Sequence, residues 1–147
     1  MKTSKTSPKY FEWLSPDVMH EESKKWLSEL RFIKDEEHFF EDLVKLFTLK
    51  LIDYKNYANT KALINSLKNL RSKNQELINT VVIHEKDLYI LLDGKDQLKE
   101  EADYKDKHRT LLIAVKHFFK DYRKLKREVF KIVKEIMKNE KRKKLLA

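Results

Sequence analysis

The chain has 147 residues, with 33 Lys and Arg against 24 Asp and Glu and a formal net charge of +9, a size that suits one domain with a real hydrophobic core. One Gly and two Pro leave little material for tight turns, which argues against a β-sandwich or a doubly wound α/β fold. The lack of Cys excludes a disulfide framework, a thiol nucleophile and a Cys-ligated metal.

Residues 1–14 read as a flexible lead. Lys2, Lys5 and Lys9 are followed by no apolar run of the kind a signal peptide needs. The longest apolar runs in the chain, Leu88–Leu92 and Leu111–Val115, are far short of a membrane span. A cytoplasmic protein with no transmembrane segment is the expectation.

Ser15-Pro16-Asp17 is a helix start: a Ser oxygen to cap free amides, Pro where no donor is needed, and an acid at the positive end of the dipole. From there a 3–4 spacing runs through Met19, Ser23, Trp26, Leu30, Ile33, Glu37, Phe40, Val44, Phe47, Leu51 and Tyr54. A break is expected near Asp53–Asn56, with Asn56 or Asn59 capping the second helix. The second stripe is Thr60, Leu63, Leu67, Leu70, Asn74, Leu77, Val81, His84, Leu88 and Leu91, closing at Asp93-Gly94. Within it Thr80–Ile83 and Leu88–Leu92 are β-rich and would also suit a hairpin, but the helical register passes through both unbroken. Asp96 can cap the third helix, whose stripe runs from Tyr104 and His108 through Leu111, Val115, Phe118, Tyr122, Leu125 and Val129 to Ile132 and Ile136. Leu112, Phe119 and Val133 widen it beyond a bare coiled-coil seam.

The fold class expected is all-α: an elongated up-down-up bundle of three long antiparallel helices, because short links force neighbours to run oppositely. The third helix is expected to overhang its partners. Residues 15–131 then form the bundle, and 132–147 a basic amphipathic extension of that helix.

Five polar residues fall on the inward registers: Glu37, Asn74, His84, Tyr104 and His108. Counting outward from the two links sets Glu37 opposite Asn74 and His84 level with Trp26 and Tyr104, with His108 a turn away near Leu30 and Thr80. Such a layer fixes register as buried hydrogen-bonded groups do. The sharper alternative is a metal or acid–base site joining His84 and His108 with Glu37, Glu85 or Glu101. The Glu-x-x-His signature of bundle metal sites is missing, so no metal and no cofactor is expected. His38 with Glu41, and His20 with Glu21 and Glu22, fall off the inward stripe and read as solvated faces.

The charge is unevenly placed: Lys116–Ala147 holds 13 Lys/Arg against 4 Asp/Glu, and the residues before it are balanced. Cations favour a helix C-terminus, which accounts for the final turn and not for several turns of excess. Arg123, Lys124, Arg127, Lys131, Lys134, Lys138, Lys141 and Arg142 form the expected contact surface, beside an apolar stripe of Ile132, Val133, Ile136 and Met137 assigned to self-association or a helical protein partner. The function expected is a non-enzymatic helical-bundle interaction module with a basic C-terminal surface for an acidic partner. The alternatives are non-specific binding of nucleic acid or an anionic membrane surface, and a metal- or histidine-dependent bundle enzyme or sensor.

Overall fold

The computed structural model describes residues 14–51, 57–94 and 98–146. Among them only Leu14, Ser15 and Gly94 lie outside helices, and the three helices are α1 (Pro16–Leu51, 36 residues), α2 (Tyr57–Asp93, 37 residues) and α3 (Leu98–Leu146, 49 residues). They pack against one another as an all-α three-helix bundle with no strands among the described residues. Nor is any helix there long and apolar enough to cross a membrane.

The start of α1 follows from its three residues. Ser15 Oγ accepts the Val18 N–H at 3.2 Å, and the Met19 N–H donates to the Ser15 carbonyl at 2.9 Å. At the far end of α2 the Gly94 N–H closes onto the Leu91 carbonyl at 3.2 Å. The second helix starts at Tyr57, so Asn59 lies in its first turn; Asn56, Asp96 and the break over 53–56 lie outside the described residues. Thr80–Leu92 is helical throughout, and Thr80 turns its hydroxyl back to the Glu76 carbonyl at 2.8 Å. The apolar 3–4 register decides that segment over its β-branched composition.

The chain divides into two compact units, each built from a part of all three helices. The first takes the chain up to Arg31 together with Glu76–His117. Its core joins Leu14, Met19, Leu88 and Tyr104, with Leu91 against them. Leu14 is therefore a core residue and not part of a loose lead, because it is 2 % exposed; residues 1–13 lie outside the described residues. In this unit Leu88 clusters with Tyr104 and His84 bonds to His108, four residues back along α2 for four forward along α3, so these helices are antiparallel.

The second unit takes Phe32–Gln75 and the chain from Phe118 onward. Ile33, Phe40 and Val44 of α1, Leu63, Leu67 and Leu70 of α2, and Phe118, Tyr122, Leu125, Val129 and Ile136 of α3 are buried in it. Here α1 and α3 run parallel, since Glu36 meets Tyr122 and Lys126 while Phe40 meets Phe130 at 5.5 Å between ring centroids.

Candidate functional sites in the polar core and on the basic helix

In the first unit the polar residues form one connected chain. His84 Nε2 lies 2.9 Å from His108 Nδ1, and His108 Nε2 lies 2.9 Å from Glu22 Oε1. A carboxylate accepts only, so His108 carries its proton on Nε2 and its bare Nδ1 accepts from His84 Nε2–H. One proton arrangement therefore satisfies the row with both imidazoles neutral. Burial drives this: it pushes His84 down to about 4, with the nearby His108 and Lys107 adding to the effect. It also lowers His108 despite the raising influence of Glu22 and Glu85. The Tyr104 hydroxyl donates to the His84 carbonyl at 2.9 Å, and its ring lies flat on His84 at 4.1 Å. Trp26 stacks on the other imidazole, His108, at 4.8 Å.

Tyr104 thus lies against His84 as counting from the links sets it, whereas His108, set a turn away near Leu30 and Thr80, bonds to His84 and takes the stacking contact with Trp26. Two flanking acids also turn inward, Glu22 from a face assigned to solvent and Glu85 toward His20 rather than toward His84 and His108. Glu22 reaches His108, and Glu85 holds His20 Nδ1 at 2.6 Å. A long flexible carboxylate on the flank of a stripe can bend toward a buried donor, which a register count does not register.

Glu37 and Asn74 are buried in the other unit and so belong to a different group from the histidines. The partner of Glu37 is Glu41, four residues on along α1, which is 3 % exposed where a solvated face was expected. Arg71 of α2 donates to Glu41 Oε2 at 2.8 Å, which draws that carboxylate under the protein surface. With both carboxylates ionised, neither Glu37 oxygen would face a donor. The chain resolves this with a proton. Burial first, then the hydrogen bond and charge of Glu41, push Glu37 up to about 8 against the attraction of Arg71 and Lys45. Glu41 moves the other way, held low by the hydrogen bond it accepts from Glu37 and by Arg71 and Lys45, against its own burial. The pair is thus a neutral carboxyl donating to a carboxylate. Glu37, His38 and Glu41 bring ligand atoms within 4.8 Å of one another, a donor set that zinc accepts. Arg71 and the proton already supply positive charge at that place.

On α3 all eight cations of the expected contact surface are exposed: Arg123, Lys124, Arg127, Lys131, Lys134, Lys138, Lys141 and Arg142. The apolar residues assigned to self-association divide. Ile136 is 2 % exposed and covered by its own chain, so it offers nothing to a partner; Ile132 and Val133 are half-buried, and Met137 is exposed. The packed part of α3 therefore extends past residue 131 to Ile136. Phe130 is exposed as well and joins Met137, seven residues on, in the apolar surface that Ile136 leaves. The acids of this stretch lie elsewhere: Asp121 and Glu128 line one groove beside α2, and Glu128 and Glu135 line another. Along the opposite flank Arg123, Arg127, Phe130, Lys134, Met137 and Lys141 follow one another at spacings of four and three. No family model, curated protein or solved structure matches the chain.

Proposed function

We propose that this chain is a non-enzymatic helical-bundle interaction module whose basic α3 surface engages an acidic partner. The observation that carries this reading is the exposed stripe Arg123, Arg127, Phe130, Lys134, Met137 and Lys141, in which cations and apolar side chains share one helical face. Apolar side chains at that spacing supply adhesion and the cations supply direction, a combination that suits an amphipathic helix with acids in the matching positions. Nucleic acid would use the cations and leave Phe130 and Met137 without a role. The buried histidines support a non-catalytic reading, since both ring nitrogens of His108 are already engaged within the chain. A cytoplasmic setting goes with it, because a chain without cysteine draws nothing from an oxidising compartment.

Titration calorimetry tests the reading. A synthetic helical peptide with acids and leucines alternating at the 3–4 spacing should bind, and a scrambled peptide of equal charge should not. Replacing Phe130 and Met137 by Ser should weaken the peptide contact at least about tenfold. Equal binding of the scrambled peptide, duplex DNA and anionic vesicles, all lost steeply with salt and indifferent to Phe130 and Met137, would instead establish general polyanion attraction.

A further inference from the structure

The second unit carries its own complement to the basic stripe. On α1 the residues Phe32, Asp35, Phe39, Asp42 and Leu46 follow the same three and four spacing, and all five are exposed. Apolar and acidic side chains alternate there as apolar and basic ones do on α3. The large apolar members of both stripes, Phe32, Phe39, Leu46, Phe130 and Met137, are between 51 and 65 % exposed. The two stripes are neighbours: Phe39 touches Phe40 at 5.8 Å between centroids, and Phe40 meets Phe130 edge-on at 5.5 Å. One face thus presents an acidic–apolar edge beside a basic–apolar edge.

We infer that the occupant of this face is a second copy of the chain, with α1 of each copy lying along α3 of the other. The inference rests on the reading of α3 as a recognition surface and names its partner. Setting Phe39 opposite Phe130 brings the acids of one row against cations of the other. With the helices parallel, Asp35 falls within one residue of Arg127, Asp42 within one residue of Lys134, and Leu46 meets Met137. Because α1 and α3 are themselves parallel, the two-fold that pairs them runs along the helices, and like charge does not face like charge within these rows. A patch that is its own complement closes as a two-fold dimer, with each contact made twice. Asp35, Asp42, Arg127 and Lys134 make no ion pair within the described chain, so all four are available.

The test uses two charge-reversed full-length chains, Asp35→Lys with Asp42→Lys and Arg127→Glu with Lys134→Glu, in sedimentation velocity, with circular dichroism to confirm that each stays helical. The unmodified chain should dimerise. Each reversed chain alone should associate at least about tenfold more weakly, because each charge pair becomes a repulsion, and an equal mixture of the two should recover the dimer. Phe39→Ser should weaken association without changing charge. A chain that stays monomeric to about 100 µM would overturn the inference, as would dimers indifferent to either reversal, or a mixture that fails to recover. The acidic peptide separates this from the wider reading. If it binds the Asp35→Lys/Asp42→Lys chain, whose α3 is intact, recognition by α3 stands even where self-association fails. If neither peptide nor second copy binds, both are overturned.

Discussion

Replacing Glu37 by Gln should stabilise the protein by an amount that grows with pH. The buried carboxyl keeps its proton up to about pH 8, whereas the unfolded chain releases it near its ordinary value of 4.5. A folded value above the unfolded one means that the stabilisation is full below about pH 4.5 and is withdrawn as pH rises toward 8. Each pH unit in that window is worth about 1.4 kcal/mol, so a shift of this size withdraws on the order of 2–4 kcal/mol between about pH 5 and 8. Gln has nearly the same shape, and its amide N–H can donate to Glu41 as the protonated carboxyl does, but it does not titrate. The variant should therefore match the parent near pH 5 and exceed it by a few kcal/mol (about 2–4) at pH 8. Urea unfolding of both chains at half-unit pH intervals measures the difference directly. A difference that stays flat from pH 5 to 8 would show that Glu37 is ionised in the folded protein and that the shared proton does not exist.

The histidines should give the opposite slope. His84 and His108 are both held below their ordinary range, so the stability they allow is full above about pH 6.5 and lost as pH falls toward 4, a loss best seen by urea unfolding in the Glu37→Gln background. His108→Leu should cost about 1–3 kcal/mol, because it strands the buried His84 Nε2–H, and adding His84→Leu should recover part of that loss in a double-mutant cycle. Arg71→Ala should cost about 3 kcal/mol or more by leaving Glu41 buried with its pair broken, read by thermal or urea unfolding at pH 7. Trp26→Ala should cost about 3–5 kcal/mol as a large truncation at a site 6 % exposed, with the same readout.

Much of the fold was legible because its signals are local and repeated. Pro16 after a Ser cap, Gly94 at a helix end and the apolar period within each of the three stripes mark the helices without reference to any distant residue. The same period puts Glu37, Asn74, His84, Tyr104 and His108 inside, since a residue on the apolar stripe of a packed helix is buried whatever its polarity. Which buried groups meet is another matter. That depends on helix register to within one turn and on side chains long enough to leave their own face. His84 therefore bonds to His108 rather than sitting a turn from it, Glu22 and Glu41 turn inward under the pull of His108 and Arg71, and Glu37 is neutral because Glu41 is charged. The surface obeys the same division. The alternation of Asp with Phe on α1 and of Arg or Lys with Phe and Met on α3 is written in the sequence. Only the packing of α1 beside α3 shows Ile136 covered, Phe130 and Met137 open, and the two stripes side by side on one face, because burial is a property of neighbours and not of a residue.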